Sequence, residues 1–542
     1  MSASATLEEL AMHLHGKNLI GGEPAAAGEK TFKGFDPRQG AALEPNFYEA
    51  TPDEVNRALD LAGEAAAQLR RSTSEEIAEL LLGIREEIAV IGDALIDRAA
   101  QETALDPARL KGERDRTLNQ IKLFADVVRE GSWVDARIDT ALPERKPLPR
   151  PDIRRMLQPI GPVAVFGASN FPLAFSVAGG DTVSALAARN PVVVKAHPAH
   201  PGTSELVANA IVKAVKAKSM HPGVFALLQS TDPSISLALV SHPRTKAVGF
   251  TGSLRAGRAL FDAAAKRPDP IPVYAEMGSV NPVFVLPGAM QSKGAQIADG
   301  LFKSVTLGTG QFCTNPGLVF VRENAAFDQF RSTLAQLFKD ASPGTMLNPP
   351  IRKGYTEKVG QFARVDGVEA VFSQQQGNES RSEGQPALFV TSFDTWSQNH
   401  LLHEEAFGPA TVLVLCRSDA DFSTAAEKVE GTLTATLQAL PEELGDYASL
   451  IDKLSRVAGR LVVNGFPTGV EVSYAMHHGG PYPATTDEKF TSVGTAAIYR
   501  FARPVCYQGF PDQLLPPELR NSNPRNIMRT VDGTLTRDPI PG

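Results

Sequence analysis

Cysteine is scarce in this chain: Cys313, Cys416 and Cys506 are its three cysteines in 542 residues, odd in number and far apart. That excludes a disulfide framework and a metal cluster with short ligand spacing, and it fits a reducing compartment. Long apolar runs are missing as well, since no window approaches the ~18 uninterrupted apolar residues that a membrane span needs. No basic run occurs, and the formal net charge of −7 disfavours a nucleic-acid partner. The first residues, Met1-Ser-Ala-Ser-Ala-Thr-Leu-Glu-Glu-Leu10, carry no basic start followed by an apolar core. Internal repeats and low-complexity tracts are absent. The expectation is a soluble, cytoplasmic protein with no membrane and no nucleic-acid partner.

What is present is an ordinary globular composition, 42% hydrophobic and 21% charged, in a chain longer than one core usually organises. Residues 18 to 50 read as small strands and turns. Thr51-Pro-Asp-Glu54 is a capping box with Pro at the first helical position, opening a helix to about residue 70, and further helices are expected near 74–103 and 113–130. After the Pro-rich connector Pro143–Pro151 the rhythm changes. Gly161–Phe166, Asn190–Lys195, Gly223–Leu228 and Lys246–Phe250 are short apolar runs separated by helical segments, as in strands buried on both faces of a parallel sheet. A second α/β pattern begins at Pro282–Leu286, with helices near 291–307 and 324–340 and strands at Ala387–Val390, Ala410–Leu415 and Arg460–Val463. From Pro504 onward the chain is Pro- and Asn-rich and reads as an extended tail.

In such sheets a ligand lies beyond the carboxyl ends of the strands, so the residues there carry information. They include Asn170, Lys195, and Gly252 with Ser253 at a helix start, whose N–H groups would suit a phosphate or make a plain strand-to-helix turn. The stretch Gly310-Gln-Phe-Cys-Thr-Asn-Pro-Gly317 holds Cys313 on a turn. A thiol so placed is either a nucleophile or, the commoner fate, a structural cysteine. Cys416 and Cys506 read as structural thiols. His477 and His478 have no acid or thiol ligand near them in sequence, so no metal site is expected and the segment reads as a turn closing the active site.

Asn170 in Gly-Ala-Ser-Asn-Phe-Pro, Lys195, Gly249-Phe-Thr-Gly-Ser253, Glu276 in Glu-Met-Gly-Ser-Val-Asn-Pro282, Cys313, and Glu405-Ala-Phe-Gly-Pro409 occur in an order and spacing that resemble the aldehyde dehydrogenase superfamily over roughly residues 20 to 510. The resemblance implies an α/β fold with two parallel sheet domains, cofactor and catalytic, plus a small β bridging element. It places the cofactor domain at 1–147 and 161–285, the catalytic domain at 286–490, the bridging element at 148–160 with 491–510, and an extended tail at 511–542.

It also implies roles. Cys313 would be the nucleophile, Asn170 and the Cys313 N–H the oxyanion donors, and Glu276 the general base. Lys195, Pro198, Gly252, Ser253, Glu405 and Phe407 would line a nicotinamide cofactor. NAD-preferring relatives often carry a glutamate three residues after the lysine. Pro198 stands there, which removes a repulsion against a 2′-phosphate, so a preference for NADP, or use of both NADP and NAD, is expected. Taken without the resemblance, Lys195, Glu405 and Phe407 would read as a strand end, a surface carboxylate and a core aromatic.

Lys195–Glu205, Glu276–Pro282, Met476–Thr486 and Arg503–Gln508 are similar to one branch of the family, whose members oxidise α-ketoglutaric semialdehyde (2,5-dioxopentanoate) to 2-oxoglutarate. The same branch is similar to NADP-dependent fatty aldehyde dehydrogenases. Arg116 and Gln120 are candidate contacts for a substrate carboxylate, or part of an ordinary solvated helix face. Other classes remain: a CoA-acylating dehydrogenase, which Glu276 disfavours, and a non-catalytic structural relative, which the intact Cys313 and Glu276 disfavour. The resemblance further implies a homodimer or homotetramer paired through segments near 148–160 and 495–508.

Overall fold

The computed structural model describes residues 14–541. The N-terminal stretch inspected for a leader lies outside them. No helix among the described residues is long and apolar enough to cross a membrane.

Two seven-stranded sheets dominate. In the first, the parallel strands Val163–Phe166, Val192–Lys195, Phe225–Leu228, Ala247–Thr251 and Val273–Glu276 are flanked on one side by the short antiparallel pieces Asn18–Ile20 and Glu23–Ala25. The central strand is Val163–Phe166. It pairs with Val192–Lys195 on one side and Ala247–Thr251 on the other: the chain steps outward through Val192–Lys195 to Phe225–Leu228 and then crosses back to add Ala247–Thr251 on the opposite flank. That reversal opens a crevice at the carboxyl ends, where Lys195, Thr251 and Glu276 stand. Complete burial of Val163–Phe166 and Phe225–Leu228 accounts for their unbroken apolar sequences.

The second sheet runs in space from Val368–Phe372 through Ala387–Ser392, Ala410–Cys416, Leu318–Arg322, Val283–Val285 and Thr432–Gln438 to Ala458–Val463. Only its first strand is antiparallel to its neighbour. Val283–Val285 therefore belongs to this sheet, although a boundary after residue 285 would put it with the cofactor segment. Three strands of this sheet escaped the sequence reading, Leu318–Arg322, Val368–Phe372 and Thr432–Gln438, as did Val273–Glu276 in the first. In Thr432–Gln438, threonines at alternate positions dilute the apolar signal, yet the whole strand is buried.

A five-stranded sheet joins Ala502–Gln508, Ile153–Pro159, Arg137–Asp139, Arg529–Val531 and Thr534–Thr536. Two expectations are corrected here. Arg137–Asp139 pairs with the bridging strand Ile153–Pro159, not with the cofactor sheet. Residues 511–542 are not merely extended, because two strands of that segment complete the sheet.

The helix predicted from the capping box spans Pro52–Leu69, with Thr51 and Glu54 capping each other's backbone. The 74–103 segment is two helices, Ser74–Ile91 and Asp93–Thr103, divided at Gly92, whose φ of 64° an ordinary helix cannot hold. The next helix starts earlier than expected, at Pro107, because Asp106 accepts from the N–H groups of Ala108 and Arg109. It runs to Glu130 and forms one wall of the site.

Candidate active site

The cysteine loop is set by backbone geometry. Gly308, Thr309 and Gly310 have φ of 56°, 58° and 67°, three left-handed residues in a row. A Cβ on Gly310 would come within 2.2 Å of the Gly408 carbonyl, so only glycine lets this loop press against the Glu405–Pro409 segment. Asn281 braces the loop from below: its Nδ2 donates to the carbonyls of Cys313 at 2.8 Å and Asn315 at 3.0 Å. Its Oδ1 accepts from the hydroxyls of Ser279 and Thr434, each at 2.9 Å. With its carbonyl thus directed away, Cys313 has an N–H that meets no protein acceptor among the described residues.

Glu276 ends the strand Val273–Glu276, and its buried carboxylate reaches the thiol. Ser492 Oγ donates to Glu276 Oε2, and His478 Nε2 lies 3.0 Å from Oε1. The same Nε2 is 3.5 Å from Cys313 Sγ. Burial alone would raise the carboxyl pKa, but His478, Ser492 and Cys313 together outweigh it and hold Glu276 below its usual value. The thiol moves the other way. Burial, then Glu276 and Glu405, push it well above the ordinary cysteine value, and Arg116 offsets only part. The resting pair is a neutral thiol beside a carboxylate able to take its proton.

Asn170 is buried across the loop, where its Nδ2 donates to the Gln311 carbonyl at 3.0 Å and keeps a second amide hydrogen. Its own carbonyl accepts from Arg109 Nη2 at 2.8 Å. Asn170, Glu276 and Cys313, scattered in sequence, thus come to one place. His478 joins them unforeseen. Nothing in His477-His478 tells which ring turns inward; the hydrogen bond from the His478 N–H to Thr491 Oγ1, 2.8 Å, fixes that in the fold.

Lys195 ends its strand half-buried. Burial lowers its pKa to about 8, the distant Glu49 offsetting part, and it forms no ion pair among the described residues. Pro198 follows on a turn where His197 and His200 stack at 5.5 Å. Glu405 is raised to about 8 by burial, with the Ser279 N–H the one donor holding it down. Phe407 packs against the core of the first sheet. Ser253 caps the helix Leu254–Ala265 through the Ala256 N–H. Gly252 departs from expectation: its N–H is taken by the Glu276 carbonyl at 3.0 Å and is not offered to a phosphate. A half-buried lysine with no counter-ion among the described residues, and a half-buried carboxyl with one donor, suit the phosphate and hydroxyl groups of a dinucleotide.

The opposite wall is the helix Pro107–Glu130. Glu113 Oε1 accepts the N–H groups of Leu173 and Ala174 at 2.9 and 3.0 Å, anchoring the loop that carries Asn170. Arg116 lies over Phe175 at 5.3 Å and Phe171 at 5.8 Å, while its Nε and Nη2 are buried without acceptors. The Phe175 ring in turn lies tilted against that of His478, their centroids 6.3 Å apart. Arg109 sits over Phe171 and Phe312, at 5.0 and 4.9 Å. Arg116 and Gln120 come apart: Gln120 packs against Gly180, its Nε2 3.0 Å from where a Cβ would stand. Sequence reasoning missed Arg109, Glu113 and Arg460, the last of which donates to the Pro467 and Gly469 carbonyls and would face a Cys313 thiolate once it forms.

With this geometry in view, comparison with known proteins is informative. Residues 25–487 match the aldehyde dehydrogenase family. The chain is 49% identical over 523 residues to alpha-ketoglutaric semialdehyde dehydrogenase 2 of Azospirillum brasilense, covering 96% of this chain and 99% of that protein. It is 45% identical over 525 residues to alpha-ketoglutaric semialdehyde dehydrogenase of Acinetobacter baylyi, covering 97% and 99%. In fold it is similar to the crystal structure of an E. coli NADP dependent enzyme, with a TM-score of 0.77 at 22% identity over 91% of this chain and 98% of that one.

Proposed function

The chain belongs to the aldehyde dehydrogenase family, and from that premise we propose that it oxidises α-ketoglutaric semialdehyde to 2-oxoglutarate through a cysteine thioester. That it is an oxidoreductase acting on an aldehyde with a nicotinamide cofactor follows from the family. The substrate, the residue roles and the cofactor preference are our reading.

Cys313 Sγ attacks the aldehyde carbon as its proton passes to the Glu276 carboxylate, directly or by way of His478 Nε2 between them. The oxyanion of the thiohemiacetal is held by the free Cys313 N–H and the second amide hydrogen of Asn170. A nicotinamide cofactor, when bound, would supply the acceptor for the hydride, and Cys313 would then carry the thioester. Glu276 releases the thiol proton to solvent and, again a carboxylate, accepts a proton from the water that attacks the thioester; the thiolate recovers that proton as the acid departs. Lys195, Ser253, Glu405 and Phe407 would hold the cofactor, the ammonium of Lys195 serving the adenosine ribose and Glu405 the nicotinamide ribose. Pro198 puts no carboxylate where a 2′-phosphate would lie, which favours NADP over NAD.

The observation that carries the substrate is Arg116. A guanidinium buried against two phenylalanines with Nε and Nη2 unpaired is costly unless something anionic meets it. The carboxylate of a short oxo-acid, whose aldehyde reaches Cys313, is such a group. The names of the two relatives point to the same compound. The strands Ala502–Gln508 and Ala458–Val463 are sheet edges, and Leu461 and Val463 are exposed on the latter, so a second copy pairing there makes a dimer or tetramer.

The test is a panel of α-ketoglutaric semialdehyde, succinic semialdehyde, glutaraldehyde and a long-chain aldehyde, each with NAD and NADP. The keto acid should give the highest kcat/KM, and NADP should exceed NAD. A long-chain aldehyde matching the keto acid would reject the substrate, and equal or better use of NAD would reject the preference.

A further inference from the structure

Cys313, Glu276 and His478 also form a thiol, a carboxylate and an imidazole whose donor atoms all lie within 4.8 Å of one another. Zinc favours four such ligands in a tetrahedron, at about 2.3 Å for sulfur and about 2.0–2.2 Å for nitrogen or oxygen. Those bonds set sulfur and nitrogen about 3.6 Å apart, and nitrogen and oxygen about 3.4 Å apart. In the protein Sγ and Nε2 are 3.5 Å apart, and Nε2 and Glu276 Oε1 3.0 Å. Roughly a few tenths of an ångström of opening would bring the nitrogen and oxygen to those positions. We propose that these three side chains are a Zn²⁺ site whose occupation reversibly switches the dehydrogenase off.

Independent features point to a ligand here. Glu276 Oε1 is buried and receives no well-directed hydrogen bond, whereas Oε2 is held by Ser492, so the oxygen facing the trio is the one left over. Thr491 fixes the His478 backbone and Asn281 fixes that of Cys313, so two of the three ligands start from held main chain. Glu276 and, once ionised, Glu405 oppose a bare thiolate and attract a divalent cation; Arg116 on the helix Pro107–Glu130 and Arg460 on the strand Ala458–Val463 act against the cation. His478 Nδ1 is buried without an acceptor. The imidazole therefore lacks the outer partner that tight zinc sites supply, which lowers affinity by about 10–100-fold and suits reversible occupancy.

On binding, the thiol proton leaves to solvent as the Zn–S bond forms, Nε2 presents its lone pair with the ring hydrogen on Nδ1, and the fourth position is left to water. No oxidation state changes. The sulfur is then withheld from the aldehyde and Glu276 from its water, so metal and aldehyde compete.

Co²⁺ is the probe, because thiolate-bound Co²⁺ absorbs in the near ultraviolet and tetrahedral Co²⁺ absorbs strongly in the visible. The full-length protein should take up one Co²⁺ per chain with both features, lose them to Zn²⁺, and lose the thiolate band in Cys313→Ala and Cys313→Ser. His478→Gln should weaken Zn²⁺ binding at least about 10-fold against a chromophoric chelator. Cys506→Ser, which removes an exposed thiol, should leave the spectrum and the turnover unchanged. Zn²⁺ should inhibit turnover and a chelator restore it. The proposal is overturned by the absence of a thiolate band in the native protein, by its persistence in Cys313→Ala, by unchanged affinity in His478→Gln when melting shows both variants folded, or by inhibition that a chelator cannot reverse. The spectrum needs no substrate, so its failure is separate from failure of the aldehyde assignment.

Discussion

The two ends of the catalytic chamber are charged oppositely. Around the thiol stand Glu276 and Glu405, which together with burial keep sulfur protonated at rest. Across from it the helix Pro107–Glu130 brings Arg109 and Arg116 into the interior, each spread over phenylalanine rings, with guanidinium atoms left unpaired. The acid end suits chemistry any aldehyde can undergo, since it needs a nucleophile, a base and oxyanion donors. At the cationic end Arg109 holds the Asn170 carbonyl, whereas Arg116 has a use only for an aldehyde bearing a negative charge. Reaction and selectivity are therefore separable, and substitutions at the two ends should fail differently.

The largest effect belongs to the thiol. Cys313→Ala should lower kcat by at least about 10⁴-fold for every aldehyde, charged or not, with the melting temperature preserved. Residual turnover within tenfold of the native enzyme would overturn the mechanism. Next comes Asn170→Ala, which would remove one of the two proposed oxyanion donors and should reduce kcat by about 10²–10³-fold. That loss should be the same for α-ketoglutaric semialdehyde and for an uncharged aldehyde of equal length. A loss confined to the charged substrate would move Asn170 to the other end of the comparison. Arg116→Met should behave in the opposite sense: kcat/KM for the keto acid falls by about 10–100-fold, the worth of a charge-assisted hydrogen bond, while the uncharged aldehyde changes little. Equal losses on both would make Arg116 a packing residue.

The same division explains what was legible in the chain. The acid end depends on side-chain types at fixed places after strands and turns, so Asn170, Glu276 and Cys313 stand out in sequence, as do the apolar runs of the first sheet. The cationic end depends on which face of a long helix turns inward. Arg109, Glu113 and Arg116 lie at spacings of four and three, as charges on a solvated helix also do, and only the loop bearing Phe171 and Phe175 makes them interior. His478 was invisible for a related reason, because two adjacent histidines on a turn give no sign of which one the Thr491 hydroxyl will orient. The terminal strands Arg529–Val531 and Thr534–Thr536 are short and polar, and they exist as strands because Arg137–Asp139 offers them an edge. Gly252 shows the limit from the other side: its residue type suits phosphate binding, yet its N–H is spent on the carbonyl of Glu276.

The smallest effect concerns the cofactor and is read through pH. Burial depresses Lys195 to about 8, so its ammonium is charged below that value and neutral above it. A 2′-phosphate pairs with the charged form only. NADP affinity should therefore fall as pH rises through about 8, by up to about tenfold per unit, and cofactor binding at that pH should take up a proton. NAD lacks the phosphate and should lose less. Glu405 complicates the window, since burial raises it to about 8 as well and it gains charge as Lys195 loses it. Its contact at the nicotinamide ribose would be common to both cofactors, however, so the ratio of NADP to NAD dissociation constants isolates the lysine. Measured by fluorescence titration from about pH 7 to about pH 9, that ratio should rise severalfold in the native enzyme and stay flat in Lys195→Met. A flat ratio in the native enzyme would detach Lys195 from the 2′-phosphate and remove the electrostatic half of the case for NADP, leaving only the missing carboxylate at Pro198.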